Sequence, residues 1–223
     1  MSQGYFITGT DTGVGKTLVS CSLLHAFSAC GKSVVGMKPV AVSCEKGEWS
    51  DVERIVIAST IIVPREWMNP YALNLPIAPH IISKQMNVEI DISVIKMAYL
   101  ELRSVAEVVI IEGVGGFLVP LNDLHDGSDM AQVLDLPVIM VVGMRLGCLN
   151  HALLTAQSIR ASGLLLVGWV ANQIDSQMMS FEENINALKQ RLNCPLLGVL
   201  PFEQHVNAKK FSTLLDVTQL RAR

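Results

Sequence analysis

Residues 5–17, near the start of the chain, constrain its fold more than any other stretch. The apolar run 5–7 has the length of a buried strand, and a glycine-rich turn follows it. Lys16 and Thr17 then open a segment whose apolar residues recur with helical spacing. Strand, glycine-rich loop and helix N-terminus, in that order, form the layout of a phosphate-binding loop. The stretch therefore predicts an α/β fold with a nucleotide site.

The residue types in this loop suit the binding of a polyphosphate. Three glycines let backbone N–H groups turn inward without a Cβ in the way: Gly9, Gly13 and Gly15. Lys16 supplies a positive charge for the β and γ oxygens, and Thr17 supplies a hydroxyl for Mg²⁺. The strict pattern has glycine at the position of Thr10, so an ordinary glycine-rich β–α turn stays open as the alternative.

The composition decides between a membrane protein and a sheet buried on both faces. Half of the 223 residues are hydrophobic and the mean hydropathy is +0.41. The longest apolar runs, 138–142 and 164–171, are shorter than the roughly 18–20 residues that a spanning helix needs. Parallel strands covered on both faces give the same hydropathy. We therefore expect no membrane span, and no secretory signal is recognisable at the start.

The net charge of the chain bears on whether it binds nucleic acid, and its cysteines bear on the redox compartment in which it works. The net charge is −3 and no basic stripe is visible, which argues against nucleic acid as a partner. The five cysteines are odd in number, and none of their spacings is that of a metal site. Reduced thiols in a cytoplasmic protein are the expectation.

Strand and helix patterns alternate along almost the whole chain, with no repeat or linker between them. Further strands are predicted at 33–40, 107–113, 137–143, 164–172 and 195–200. Helices are predicted at 17–29, 51–58, 92–102, 150–161 and 181–192, whereas 41–50 reads as a loop and 63–79 as irregular. The alternation predicts βαβ units in a single domain, 1–223. The expected fold is P-loop NTPase-like, with a mostly parallel sheet and helices on both faces.

Ligands of such sheets bind at the carboxyl ends of the strands, where two ionisable residues stand out. Lys38 follows the second strand and points to the same crevice as the phosphate loop, although a lysine at the sheet rim is the alternative. Glu112 ends an apolar strand and resembles a Mg²⁺ ligand or a water-holding carboxylate, although a capping or salt-bridged glutamate is the alternative. Asp51 is a second candidate ligand for Mg²⁺ or, equally, a helix N-cap.

Three further segments follow strands. Residues 147–150 open a helix whose free N–H groups suit a carboxylate or phosphate, with plain capping by Asn150 as the alternative. Asn172 ends a strand and its amide can pair with the edge of a purine. Pro201 and Phe202 follow the last strand and are placed to flank the base.

Together these motifs resemble the dethiobiotin synthetase family. The matching strings run in order across most of the chain, and the most specific are the loop itself and Leu-Gly-Cys-Leu-Asn-His-Ala-Leu-Leu-Thr-Ala-Gln (146–157). The other strings lie at 36–41, 69–71, 78–83, 112–116, 168–172 and 197–201. The family's loop also has threonine at the position of Thr10.

The resemblance implies an ATP-dependent ligase of biotin biosynthesis. Its substrates are 7,8-diaminononanoate, CO₂ and ATP with Mg²⁺. One amine takes up CO₂ as a carbamate, the γ-phosphoryl group of ATP makes a mixed anhydride, and the second amine closes the cyclic urea. ADP and phosphate leave, and the enzyme is expected to be a cytoplasmic homodimer.

The resemblance also implies roles for individual residues. Lys16 and Lys38 are the expected catalytic cations. The expected metal ligands are Thr17, Asp51 and Glu112. The expected ATP contacts are Gly13, Val14, Gly15, Lys16, Thr17, Leu18, Asp51, Glu112, Gly113, Val114, Gly115, Asn172, Gln173, Pro201, Phe202 and Glu203. The expected diamine contacts are Thr12, Lys38, Val42, Gly147, Cys148, Leu149 and Asn150.

One departure and one alternative function accompany the resemblance. The family commonly has a substrate-contacting serine after the Lys-Pro-Val-Ala string, and here Val42 comes first and Ser43 next. The alternative is a partitioning-type P-loop ATPase, a switch that acts through a protein or DNA partner. Those ATPases carry an additional lysine early in the loop, where this chain has Thr10 and Asp11.

Overall fold

The computed structural model describes residues 2–44 and 47–220, and its main sheet has six parallel strands. Their order across the sheet is β2-β5-β1-β6-β7-β8. The strands are β1 (Gln3–Gly9), β2 (Val34–Met37), β5 (Val108–Glu112), β6 (Val138–Met144), β7 (Leu166–Gln173) and β8 (Leu196–Leu200). A second, two-stranded parallel sheet pairs β3 (Val40–Ala41) with β4 (Tyr71–Ala72). The predicted mostly parallel sheet is confirmed.

Helices connect these strands. They are α1 (Lys16–Ala29), α2 (Ser50–Ala58), α3 (Arg65–Met68), α4 (Pro79–Gln85), α5 (Ile92–Val105), α6 (Gly127–Leu134), α7 (Cys148–Ala161), α8 (Phe181–Arg191) and α9 (Ala208–Ser212). The chain steps in one direction across the sheet from β1 to β2, and in the other direction from β2 through β5, β6 and β7 to β8. Because such crossovers are right-handed, α1 lies on one face of the sheet and α5 to α8 lie on the other. The packing agrees, since α1 contacts α2 and α9, whereas α5 contacts α6 and α7 contacts α8.

The core lies at the centre of the main sheet. Every residue of β5 and β6 is buried, and both strands are almost entirely apolar. Continuous apolar strands are typical of a parallel sheet covered on both faces, so the sheet accounts for the positive mean hydropathy. No helix of the described part of the chain is long and apolar enough to cross a membrane.

The predicted second strand, 33–40, was wrong in its extent. It ends at Met37 because Lys38 N–H donates to the carbonyl of Met68 at 2.8 Å instead of continuing the main sheet. The buried amide of Asn69 holds this turn by donating to the carbonyl of Lys38 at 2.7 Å. The chain then forms β3, which spans the end of the predicted strand at Val40 and the start of the expected loop at Ala41.

The segment 63–79, expected to be irregular, holds α3 and β4. The local sequence does not predict β4, because a two-residue strand is stabilised by its pairing with β3 rather than by its own pattern. Helices α4 and α6 were also missed. Helix α6 begins with a capping box in which Asp126 and Asp129 each accept the other's backbone N–H.

Candidate functional site

The loop between β1 and α1 has the backbone geometry that a phosphate-binding loop needs. Gly13 and Gly15 have φ angles of +75° and +90°, a region that strains any residue with a Cβ. Lys16 is the first residue of α1, and its Nζ donates to the carbonyl oxygen of Asp11 at 3.0 Å. The lysine therefore folds back over the loop that it follows.

Lys16 is buried, with only 7% of its surface exposed. Burial is the main cause that lowers its pKa to about 8, and the nearby positive charge of Lys38 acts in the same direction. The carboxylates of Glu112, Asp51 and Asp11 oppose this shift. Lys16 is therefore a cation at neutral pH that would gain from a bound anion.

Glu112 is the point at which the predicted side chains converge. Its Oε1 accepts the Thr17 hydroxyl at 2.8 Å and the Lys38 ammonium at 2.6 Å. Lys38 Nζ also donates to the Gly113 carbonyl at 2.9 Å and lies 3.8 Å from Asp51 Oδ2. The structure thus brings together Thr17, Lys38, Asp51 and Glu112, which the sequence places far apart.

Strand register explains this convergence. Ile7 of β1 pairs with Glu112, and Met37 of β2 pairs with Ile111, so Lys38 and Glu112 leave the sheet side by side. Lys38 is 3% exposed and forms a buried ion pair, so the alternative of a lysine at the sheet rim was wrong. The salt-bridged alternative for Glu112 is correct, since its Oε1 pairs with Lys38.

One oxygen of Glu112 is available for a further ligand. The Glu112 side chain is 1% exposed, and its Oε2 has no hydrogen-bond partner within residues 2–44 and 47–220. A buried carboxylate oxygen without a partner is costly unless a cation or donor reaches it.

Asp51 lies in the first turn of α2, whose N-cap is Trp49, so the N-cap alternative for Asp51 was wrong.

The glycines after Glu112 pass close to the phosphate loop. Gly113 N–H donates to the carbonyl of Ile7 at 2.9 Å, and a Cβ there would meet the ring of Phe6 at 3.2 Å. Gly115 has φ +60°, and a Cβ there would lie 3.5 Å from Thr12 Oγ1. The closest atom to a Cβ at Gly115 would be Val119 Cγ2 at 2.6 Å, so this position needs glycine for packing and for its positive φ, and its distance from Thr12 is an ordinary van der Waals contact.

The predicted adenine residues lie at the ends of β7 and β8. The Asn172 amide nitrogen donates to the Val14 carbonyl at 2.8 Å, so this side chain supports the phosphate loop, a contact that sequence reasoning missed. Gln173 Oε1 accepts the backbone N–H of Phe202 at 3.3 Å, which ties the two strand ends together. Phe202 is 45% exposed, Pro201 is exposed, and Glu203 forms an ion pair with Lys210.

Four of the predicted diamine residues, 147–150, lie at the N-terminus of α7. Gly147 is its N-cap with φ +93° and no side-chain cap, so the alternative of capping by Asn150 was wrong. Cys148 is buried and Leu149 is half-buried, whereas Asn150 and Thr12 are exposed. Val42 is half-buried and packs against the core, and its apolar side chain offers no polar group to a ligand.

Sequence reasoning missed the ion pair between Asp11 and Arg145, whose Nη2 and Oδ2 atoms are 2.7 Å apart. Arg145 directly follows β6, and that position at the carboxyl end of an inner strand was the signal that could have found it.

The sequence is similar to a protein family and to named relatives over nearly its whole length. The family model described as an AAA domain matches residues 3–210. The protein named ATP-dependent dethiobiotin synthetase BioD from Nitrosospira multiformis is 60% identical over 220 residues, covering 99% of this chain and 97% of its own. The protein of the same name from Aromatoleum aromaticum is 51% identical over 203 residues, covering 89% and 90%.

Solved structures resemble this one at the level of the fold. The cell division ATPase MinD from Pyrococcus furiosus superposes with a TM-score of 0.61 at 16% identity, covering 99% of this chain and all of that one. The signal recognition particle receptor FtsY from Elizabethkingia anophelis gives 0.55 at 15% identity, covering 100% of this chain and 64% of that one. The predicted P-loop NTPase-like fold is confirmed.

Proposed function

The chain belongs to the family of ATP-dependent dethiobiotin synthetases, and from that premise we propose how its residues perform the reaction. The protein is an ATP-dependent ligase that synthesises dethiobiotin in biotin biosynthesis. The observation that carries the proposal is the convergence of Lys38 and Thr17 on buried Glu112, beside a phosphate loop that holds Lys16.

The proposed reaction has three steps. One amine of 7,8-diaminononanoate adds to CO₂, loses a proton and becomes a carbamate. A carbamate oxygen attacks the γ-phosphorus of ATP, and the bond from that phosphorus to the ADP oxygen breaks. The second amine then attacks the carbonyl carbon of this mixed anhydride, and its C–O bond to phosphate breaks. The products are the cyclic urea, ADP and phosphate.

Lys16 and Lys38 are the proposed catalytic cations. Charge develops on the carbamate and on the transferred phosphoryl group, so fixed positive groups at both ends stabilise the transition state. Lys38 is held by Glu112 and Gly113 at the mouth of the phosphate loop, and Lys16 is held by the Asp11 carbonyl. Both ammonium groups therefore start from fixed, desolvated positions rather than from solvent.

The residues around Glu112 suit Mg²⁺. A hydroxyl and two carboxylates, those of Thr17, Asp51 and Glu112, are hard oxygen donors, and Glu112 Oε2 is buried without a partner in the part of the chain that is described. When bound, Mg²⁺ would neutralise charge on the triphosphate oxygens. Glu112 would then offer Oε2 to the metal while its Oε1 keeps the ion pair with Lys38.

The remaining nucleotide contacts are proposed from position. The backbone from Gly13 to Leu18 would wrap the phosphates, since the glycines at 13 and 15 already have positive φ. The segment Gly113 to Gly115 would approach from the other side. We assign the adenine to Asn172, Gln173, Pro201, Phe202 and Glu203, where Gln173 accepts the backbone N–H of Phe202 and the Phe202 side chain is 45% exposed.

The diamine contacts are proposed in the same way. The backbone at the N-terminus of α7, from Gly147 to Leu149 with Asn150 alongside, would hold the tail carboxylate. Within this turn the Cys148 N–H already donates to the Arg145 carbonyl at 3.0 Å, so the neighbouring N–H groups and the helix dipole would carry the contact. Thr12 and Val42 would flank the diamine near Lys38. We further propose a homodimer, a single domain over 1–223, CO₂ as the carbon source and a cytoplasmic location.

The alternative of a partitioning-type ATPase has less support. Its structural likeness rests on identities of 15–16%, which concern the fold alone, whereas the two synthetases compared above are 60% and 51% identical to this chain over the aligned residues. Neither Thr10 nor Asp11 is the additional lysine that such ATPases carry.

The test is ADP release by the purified protein with ATP, Mg²⁺ and bicarbonate, with and without the diamine. We expect release to depend on the diamine and dethiobiotin to accumulate in equal amount, as measured by mass spectrometry. Lys16→Gln and Lys38→Gln should each lower turnover by at least about 100-fold, the scale of losing one charge-stabilising donor. Slow ADP release that is indifferent to the diamine would refute the proposal.

A further inference from the structure

A second ion pair joins two loops of the site and has no part in the mechanism above. Arg145 Nη2 donates to Asp11 Oδ2 at 2.7 Å, and each side chain is 44% exposed. Asp11 lies between β1 and α1, and Arg145 directly follows β6. Strands β1 and β6 are neighbours, with Gly9 paired to Val141, so the two loops leave the sheet side by side.

Asp11 controls the conformation of the phosphate loop through three contacts. Its Oδ1 accepts the backbone N–H of Thr12 at 2.8 Å, and its carbonyl oxygen accepts Lys16 Nζ at 3.0 Å. Its Oδ2 accepts the guanidinium of Arg145. A rotation of the Asp11 side chain would break the contacts of Oδ1 and Oδ2, whereas the contact with Lys16 belongs to the backbone. The carboxylate is therefore held beside the loop by Thr12 N–H and Arg145.

The negative charge of the Asp11 carboxylate nevertheless repels the triphosphate that we propose binds to this loop. A carboxylate in a loop that wraps a triphosphate repels it unless a cation neutralises the carboxylate. Lys16 bonds to the Asp11 backbone and not to its carboxylate. Among the described residues, Arg145 is the only basic side chain in an ion pair with Asp11.

Arg145 also contributes to the start of α7. Its carbonyl oxygen accepts the backbone N–H of Cys148 at 3.0 Å, at the helix terminus to which we assign the tail carboxylate. One residue therefore contacts the proposed phosphate site through its side chain and the proposed diamine site through its backbone.

We infer that Arg145 is a positioning residue whose guanidinium neutralises the Asp11 carboxylate beside the triphosphate. It acts through Asp11 and does not touch the reacting atoms. The inference rests on the proposed function, because it assumes that the loop binds the triphosphate of ATP.

The test compares the wild type with Arg145→Gln, Asp11→Asn, the double variant and Arg145→Lys. Arg145→Gln leaves the Asp11 charge unopposed, so its KM for ATP should rise about tenfold. Its kcat at saturating ATP should stay within about threefold of the wild type, because the reacting atoms are untouched. Arg145→Lys keeps the charge and should keep KM within about threefold.

The double variant separates charge from geometry. If neutralisation is the role, removing both charges should return KM for ATP to within about threefold of the wild type, because nothing is left to repel the triphosphate. Asp11→Asn alone should also stay within about threefold, since its side-chain oxygen still accepts the N–H of Thr12. A double variant as impaired as Arg145→Gln, or an Arg145→Gln enzyme with unchanged KM, would overturn the inference.

Two controls complete the design. Lys32→Gln removes a similarly exposed ion pair, with Glu107 at 2.9 Å, at the opposite end of the strands, and it should leave KM for ATP unchanged. Equilibrium binding of ADP to the same variants needs no diamine. The effect of Arg145 can therefore be read even if diamine-dependent turnover fails, so the two failures are distinguishable.

Discussion

Breaking the buried ion pair between Lys38 and Glu112 should destabilise the protein far more than deleting both of its charges. The two side chains are 4% and 1% exposed, with Nζ and Oε1 2.6 Å apart. Lys38→Met leaves a buried carboxylate whose nearest donor is Thr17, and removing one partner of such a pair costs about 3–5 kcal/mol. Glu112→Gln should cost a similar amount, because it leaves the ammonium buried with Asp51 3.8 Å away as its nearest carboxylate.

The double variant, Lys38→Met with Glu112→Gln, should lose only about 1–2 kcal/mol. The new amide still accepts the Thr17 hydroxyl, and neither site holds an uncompensated charge. The free energy of unfolding is measured by urea titration with EDTA and without nucleotide, and the three variants should share one m-value. Lys32→Met, which breaks a half-exposed pair with Glu107, should cost less than about 1 kcal/mol.

Two outcomes would refute this reasoning. A Lys38→Met variant within about 1 kcal/mol of the wild type would mean that the carboxylate is not desolvated. A double variant whose loss equals the sum of the two single losses would mean that the two groups do not interact. All three variants should lose diamine-dependent turnover, because each removes a proposed catalytic or metal-binding group.

Two further predictions concern the glycines of the phosphate loop and the reactivity of the cysteines. At Gly15, where φ is +90°, a Cβ would meet the Asn172 amide nitrogen at 2.2 Å, so Gly15→Ala should abolish ATP binding by calorimetry. Gly13→Ala, with φ +75° and open space around it, should cost only about 1–2 kcal/mol of unfolding free energy and should still bind ATP. An equal loss of ATP binding in the two variants would contradict the argument. Burial raises the pKa of the Cys21 thiol to about 12, so iodoacetamide at pH 8 should label exposed Cys30 first, as measured by mass spectrometry. Faster labelling of Cys21 in the folded protein would contradict the assigned burial.

The sequence predicted those parts of the site that follow directly from strand ends. A lysine and a glutamate at the carboxyl ends of parallel strands had to face one crevice, and Lys38 and Glu112 do. Their pairing could not be predicted, because it depends on register: β2 pairs with β5 so that the two side chains emerge together. Asn172 shows the same limit, since a strand-end amide suits a purine edge and a loop carbonyl equally well.

The errors in the fold came from long-range contacts that local patterns do not contain. The apolar pattern of 33–40 continues past Met37, yet the chain leaves the main sheet there because Lys38 N–H bonds to the carbonyl of Met68. The four prolines of 63–79 indicated irregular structure, and a short strand forms between them only because β3 lies beside it. Arg145 was overlooked because its partner, Asp11, is 134 residues away in sequence.

The central claim is that Lys16 and Lys38 face one carbamate in a single crevice. The most direct measurement is a crystal structure with the diamine, CO₂, Mg²⁺ and a non-hydrolysable ATP analogue bound together. We expect both Nζ atoms within hydrogen-bonding distance, roughly 2.7–3.2 Å, of carbamate or γ-phosphate oxygens. A ternary complex in which Lys38 stays bonded only to Glu112 and Gly113, with the carbamate held elsewhere, would contradict the account.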